Sequence, residues 1–478
     1  MCVRWSLMVP VLWLVALLLT TESSWSQEKP VAKPNILLLL TDDQSYDTIA
    51  ALGNSEIITP NLDRLARSGT AFDNAYNMGG WNGAICLASR AMFNTGRFLW
   101  RAHAVDNSLD QEAQAGRLLP SMLGQAGYQT FMSGKWHVNI AADRIYDQAL
   151  HIRPGMPGSI ESAYQRPNNK HDWTPWDTRL GGFWEGGKHW SEVLADDALT
   201  FLKQTAASDR PFFMYLAFNA PHDPRQSPRK IVERYKRNQL KIPANFQPQH
   251  PDMEAMGAGR NLRDERLAPW PRTPEAVQLH RQEYYALITH LDQQIGKILD
   301  ELKRSGQADN TFVVMTSDHG LACGQHGLLG KQNMYEHSLK APLIVAGPGI
   351  PSGKRIATPV YVQDFVPTTL EWAQAPRPEH VEFKSLLPLI RGEQSLQYEL
   401  IYGAYELNRQ RMVRRGDNKL IYYPTIDKYE MYDLQADPLE LRNLSQAAQY
   451  AQTFGELKID LQKIMVDMDD PLLRNKDL

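Results

Sequence analysis

Cysteine is scarce in this chain: three among 478 residues, at positions 2, 86 and 323. That is too few for a disulfide framework to carry the fold. An excess of one charge sign is missing as well. The formal net charge is -3, which excludes the overall basic balance of a dedicated nucleic-acid binder. No internal repeat or low-complexity tract is present, and 43% hydrophobic with 22% charged residues leaves no room for a disordered or fibrous class. Long apolar runs are absent with one exception, "LMVPVLWLVALLL" near the N-terminus, and that run is too short to span a bilayer comfortably. What remains is a globular chain long enough for one large domain and a smaller one.

The exception has the layout of a secretion signal. Arg4 precedes the apolar run, and "TTESSWSQ" follows with Ser24 and Ser26 as small residues before a cleavage point. Residues 1–26 are therefore expected to be removed, leaving a secreted or periplasmic protein without stable membrane insertion. Cys2 lies at the wrong end of the run for lipidation at that point. Removal leaves Cys86 and Cys323. An exported chain usually pairs its cysteines, so a disulfide between them is one expectation. A thiol kept for its chemistry is the other.

Strands and helices alternate after the signal. "KPNILLLLTDDQ" is a continuous apolar run, as in a strand buried on both faces, and two acids close it. "TPNLDRLARSGTAF" reads as a helix capped by Thr59, with Pro60 in its first turn and Gly69 at its end. "LPSMLGQAGYQTFMSGKWH", "VLADDALTFLKQT" before "PFFMYLAFNAPH", and "YYALITHLDQQIGKILDELKRSG" before "TFVVMTSDHG" repeat the helix-then-strand order. The fold class is α/β, a mainly parallel sheet flanked by helices. Long loops are expected from about 160 to 275. Beyond about residue 390 short strands and a closing helix predict a small α+β domain, which gives a catalytic domain at 34–390 and a C-terminal domain at 391–478.

Ligands of such sheets gather at the carboxyl ends of the strands. Here those ends read "TDDQ", "SGKWH", "NAPHDP" and "TSDHG", all ionisable. Asp42-Asp43 and Asp318-His319 would converge on one hard cation, Ca²⁺ or Mg²⁺, which relieves the repulsion of clustered carboxylates. Lys135 and His137, two residues apart, would point to one side of their strand. With His222 they suit binding a dianion and moving its protons.

The stretch "NGAICLASRAMFNTGR" resembles the signature of the formylglycine-dependent type I sulfatases of the alkaline phosphatase superfamily. The likeness runs over nearly the whole mature chain, through "PNILLLLTDDQ", "GYQTFMSGKWH", "TSDHGLACGQHGLLGKQNMYEHSLKAPLIVAGPGI" and "EMYDLQADPLELRNL". It implies an alkaline-phosphatase-like fold and a Cys86 oxidised to formylglycine by a maturation enzyme. It further implies one metal ion, Ca²⁺ favoured over Mg²⁺, held by Asp42, Asp43, Asp318, His319 and an oxygen of the converted Cys86. Arg90 would stabilise the hydrated aldehyde, Lys135 and Lys331 would clamp the sulfate, His137 would act as base, and His222 would serve the leaving-group side. His319, where many members carry asparagine, resembles the iduronate-sulfatase and choline-sulfatase branch. Two positions depart from the pattern. Ala88 replaces a proline often found in the signature, and "LAC" at 321–323 brings Cys323 towards the expected metal.

The resemblance implies a sulfated small molecule or glycan as substrate. "HDWTPWDTRLGGFWEGGKHW" gathers four tryptophans suited to stacking on a sugar, and "RQSPRKIVERYKRNQLK" has the charge to hold a sulfated polymer. Aromatic residues also suit the quaternary ammonium of choline sulfate. A phosphatase or phosphodiesterase of the same superfold is the enzymatic alternative, with Cys86 against it.

Overall fold

The computed structural model describes residues 1–3, 5–6, 33–158, 160–168 and 173–474. The chain divides into two units, Met1–Ala32 and Lys33–Leu478. Most of the expected signal segment lies outside the described residues. Among the described residues no helix is long and apolar enough to cross a membrane.

An eight-stranded sheet forms the centre of the second unit. Its spatial order is 354–356, 70–72, 343–346, 311–317, 35–41, 212–217, 129–135, 148–153. All neighbouring pairs are parallel except the two made by Leu343–Ala346. The central strand Asn35–Thr41 shows why the apolar runs are continuous: Ile36 to Leu40 are fully buried, with alternate side chains entering the cores on opposite faces. Full burial of a leucine side chain contributes about 1.5–3 kcal/mol, so these runs account for much of the drive to form the sheet.

Helices cover both faces, as expected for βα alternation. Pro274–Arg304 is the longest; Thr273 caps it by accepting from the Ala276 N–H at 3.2 Å. The helix Pro60–Ser68 lies where its sequence places it, but Thr59 does not cap it with its side chain. The Thr59 hydroxyl donates to Asp63 Oδ1 at 3.1 Å and accepts from the Ala50 N–H at 2.9 Å. It ties the preceding loop to the helix.

A second sheet contains four antiparallel strands from 401 to 433, with the helix Ala451–Asp467 packed on it. Its fifth strand is Gly79–Gly80, paired with Ala404 and Tyr405. Main-chain bonds thus join the two stretches expected as separate domains, with Ala404 N–H donating to Met78 O at 2.9 Å.

Candidate active site

Four adjacent strands end together. Thr41 pairs with Ser317, Leu40 with Ala217, and Gly134 with Ala217. The four ionisable strand ends are therefore side by side on one rim of the sheet. Gly134 is required there: it has φ 95°, and a Cβ would lie 2.0 Å from Ala217 O. Asp42 and Asp43 follow the central strand directly. Asp43 takes a left-handed φ of 65°, a conformation that aspartate tolerates better than most residues. The Tyr284 hydroxyl holds it by donating to Asp43 O at 2.6 Å.

Cys86 enters from a different element. It is the second residue of the helix Ile85–Thr95, whose N-terminus faces the strand ends. The positive end of a helix favours an anion or a thiolate at that position. Donor atoms of Asp42, Asp43, Cys86 and His319 all lie within 4.8 Å of one another. His319 Nε2 is 3.1 Å from Asp43 Oδ1 and 3.3 Å from Cys86 Sγ. Asp318 stands beside them, with Oδ1 3.6 Å from His319 Nε2. On its other side Oδ2 accepts from Arg90 Nε at 3.0 Å. The Asp318 main chain is pinned too, its carbonyl accepting from Ser89 Oγ at 2.7 Å and Asn77 Nδ2 at 2.9 Å.

The electrostatics are those of crowded, dry charges. Burial, followed by Asp318 and Cys86, pushes the Asp42 carboxyl well above the carboxylate range. Burial would raise the Cys86 thiol as well, but Lys135, Lys331 and His319 outweigh it and hold the thiol well below its ordinary value. His319 also resists burial, and Asp318 and Asp43 push it up to about 9. Asp42 Oδ1 is buried without a hydrogen-bond partner. Three carboxylates, one of them with an orphaned oxygen, beside an imidazole form a donor set that fits a hard divalent cation.

Two lysines balance these acids. Lys135 Nζ pairs with Asp42 Oδ2, and both side chains are fully buried. Lys331 Nζ donates to Asp43 Oδ1 and Oδ2, each at 2.8 Å, and lies 3.1 Å from His222 Nε2. His222 Nδ1 is 2.8 Å from Asp223 O. A cleft of about 530 Å³ opens onto Cys86, His137, His222 and Lys331, with Pro154, Met156, Leu262 and Arg263 further out.

The sulfatase family's sequence model matches residues 34–375, nearly three quarters of the chain. The chain belongs to the sulfatase family. A second model, for the C-terminal part of N-sulphoglucosamine sulphohydrolase, matches residues 324–467. An N-acetylglucosamine-6-O-sulfatase of Bacteroides thetaiotaomicron is 29% identical, over 90% of this chain and 86% of its own length. A choline-sulfatase of Rhizobium meliloti is also 29% identical, over 87% and 83%. A solved structure of a protein with its substrate D-glucosamine-2-N,6-O-disulfate superposes with a TM-score of 0.73 at 26% identity, covering 93% of this chain and all of the other. The protein is thus a type I sulfatase of the alkaline phosphatase superfamily and a sulfuric ester hydrolase.

Several details of this sulfatase differ from what its sequence suggests. Strand alternation does not place His137, because the register shifts between Ser133 and Gly134 and His137 itself has φ 52°. Its ring is held against Gly155, where a Cβ would come within 2.7 Å of His137 Cε1. Arg90 spends its Nε on Asp318 and its Nη1 on Lys135 O, so it braces Asp318. Cys86 and Cys323 are both free thiols. Cys323 is buried against Arg225, whose Nη1 lies 3.6 Å from its Sγ, and does not join the donor cluster. The four tryptophans do not line the cleft of this sulfatase. Trp190 lies under Arg153 and Trp173 under Arg166, while Trp184 Nε1 donates to Pro175 O.

Sequence reasoning missed Arg263 and Asp264. Lys331 Nζ is 3.6 Å from Asp264 Oδ2, and Arg263 Nη2 is 3.2 Å from His222 Nε2. Both residues come from the irregular 160–275 stretch, where no periodicity marks a functional side chain. The only signal was a short run of charges of both signs, Arg263-Asp264-Glu265-Arg266, which reads as an ordinary solvated turn.

Proposed function

We propose that the protein is an exported sulfatase that removes a sulfate ester from a sulfated carbohydrate, using Cys86 converted to formylglycine and a bound divalent cation, Ca²⁺ in preference to Mg²⁺. The observation that carries this is the position of Cys86. It sits at a helix N-terminus, among Asp42, Asp43 and His319, at the floor of a cleft walled by His137, His222 and Lys331.

Formylglycine at position 86 would supply, as its hydrate, one hydroxyl able to displace the substrate's alcohol from sulfur and a second through which sulfate could be released as the aldehyde re-forms. The cation, held by Asp42, Asp43, Asp318 and His319, supplies Lewis acidity and offsets the charge of the ester. The remaining work falls to this chain's own side chains. Lys331 reaches the cleft from the Asp43 side and can transfer its donors to sulfate oxygens, where fixed positive charge stabilises the transition state most. Lys135, sealed beneath Asp42, holds that acid in place and adds positive potential at residue 86. His222 is positioned at Nδ1 by Asp223 and presents Nε2 to the cleft, where a proton can pass to the leaving oxygen. Burial holds His137 below the ordinary histidine range, which suits a base beside residue 86.

The cleft favours a sugar over choline. Its outer wall is Pro154, Met156 and Leu262, with the Arg263 guanidinium among them. Among the described residues no Trp, Tyr or Phe side chain lines it to bind a quaternary ammonium, and Asp264 is already engaged by Arg263 and Lys331. A volume of about 530 Å³ lies within the range of sites for small organic ligands. The relatives named for N-acetylglucosamine-6-O-sulfate and for glucosamine disulfate support the same choice.

Intact mass of the peptide containing residue 86, from protein made in its own host, tests the conversion. A loss of about 18 Da relative to cysteine is expected. An unmodified thiol in protein that hydrolyses sulfate esters would overturn the proposed chemistry.

A further inference from the structure

We infer that the basic segment 229–241 and the tryptophans beside it form a second glycan site, which grips a sulfated polysaccharide chain outside the Cys86 cleft. The inference rests on the carbohydrate assignment above and extends it from a sugar unit to a polymer. Within "RKIVERYKRNQLK" six residues are basic and one is acidic, in a chain whose net charge is -3. The segment folds so that these charges face water: Ile231, Val232, Tyr235 and Leu240 are buried against Tyr284, Tyr285 and Ile288 of the long helix. Arg229 pairs with Glu233 at 2.5 Å. Lys230, Arg234, Lys236 and Arg237 are exposed and have no ion-pair partner among the described residues. An ordinary solvated face mixes signs. A face of one sign repels itself, and that repulsion is relieved by a polyanion.

A place for sugar rings adjoins these cations. A cavity of about 340 Å³ is lined by Trp173, Trp176 and Arg237. Both indoles are half-buried. The nearby charge of Arg166 is taken up by Glu283, with Nη2 to Oε2 at 2.6 Å. Arg237 is the cation still available there, its Nε meeting only Gln282 Oε1 at 3.3 Å. One short segment links this cavity to the catalytic wall: Tyr164 donates to Asp223 Oδ2 beside His222, and Arg166, two residues on, lies over Trp173.

The test uses the full chain, dextran sulfate, unsulfated dextran and inorganic polyphosphate as probes, and a small monosulfate ester for turnover. The variant Lys230→Gln/Arg234→Gln/Lys236→Gln/Arg237→Gln should bind dextran sulfate at least about tenfold more weakly, with a shallower dependence on salt, as expected when several cation–anion contacts are lost. Trp176→Ala should weaken dextran sulfate binding about threefold or more and leave polyphosphate binding unchanged, since stacking needs a ring. Both variants should turn over the small ester like the unaltered protein. Undiminished dextran sulfate binding in the fourfold variant overturns the site. Loss of both polyanions in that variant with no effect of Trp176→Ala overturns its glycan character. Binding is read without turnover, so an inert protein that still binds would sink the sulfatase chemistry and leave this surface standing.

Discussion

Lys331 Nζ lies 2.8 Å from both carboxylate oxygens of Asp43. The same nitrogen is 3.1 Å from His222 Nε2, so one ammonium joins Asp43 to His222 at the cleft. Replacing Lys331 by methionine keeps the bulk and removes the charge. A loss of about 10²–10³ in kcat/KM on glucosamine 6-sulfate is expected, as for removal of one preorganised transition-state donor. Steady-state kinetics on purified variant checks it. A change smaller than about threefold would remove Lys331 from the catalytic groups.

Asp318 is the acid that Arg90 braces, and its Oδ1 accepts from the Asp43 N–H at 3.3 Å and faces His319. Asp318→Asn should weaken cation binding and abolish the stabilisation that Ca²⁺ gives the protein. For a site filled to about 100 Kd that stabilisation is about 2.7 kcal/mol. Thermal melts with and without Ca²⁺ after chelation report it independently of activity. An equal Ca²⁺-dependent shift in the variant would contradict the ligand assignment.

The outer cleft makes a specificity prediction. With Arg263 present and no Trp, Tyr or Phe in the lining among the described residues, choline sulfate should be a poor substrate, at least about tenfold below glucosamine 6-sulfate in kcat/KM. That ratio equals about 1.4 kcal/mol of transition-state discrimination. Side-by-side sulfate-release assays decide it. Parity, or a preference for choline sulfate, would move the protein to the other substrate class.

A pH signature lies away from the active site. Lys419 Nζ bridges Glu440 at 2.7 Å and Glu336 at 2.9 Å in a buried network beneath the second sheet. Burial first, then Glu336, pushes Glu440 up to about 7 against the pull of Lys419. A carboxyl raised on folding binds its proton more tightly in the native state. Its contribution is therefore full below the unfolded value of about 4.3 and is lost as the pH rises towards 7. Glu440→Gln should gain in Tm relative to the unaltered protein between pH 5 and pH 8. Parallel Tm curves across that window would refute the shift. Glu336, where burial is outweighed by Lys419, Lys340 and Arg414 together and the carboxyl is held down to about 2, acts below this window.

Much of this was legible in the residues themselves. Continuous apolar runs announced strands buried on both faces, and the polar tails of those runs marked the rim where the candidate site lies, because a parallel sheet gathers its carboxyl ends. The signature around Cys86 pointed to the rest. Two kinds of feature were not legible. Local backbone departures such as the shift at Ser133 and the left-handed His137 overrule simple alternation. Contributions from stretches without hydrophobic pattern also escape: Gly79–Gly80 extends the second sheet by main-chain bonds alone, and Arg263 and Asp264 reach the cleft from a loop. The place of the tryptophan cluster, away from the Cys86 cleft, escaped for a related reason. Abundance of aromatic residues does not say which face they present, and here Trp173 and Trp190 carry arginines while Cys86 lies elsewhere.

Residue 86 is proposed as the reacting centre of this sulfate ester hydrolase. That role is tested most directly by sulfate release from glucosamine 6-sulfate, measured on preparations that differ only in the fraction of residue 86 converted to formylglycine, with Cys86→Ser as the zero point. Rates should rise in proportion to the converted fraction and vanish in Cys86→Ser, while its thermal melt stays close to that of the unconverted protein. Sulfate release that is independent of conversion, or that persists in Cys86→Ser, would contradict the account.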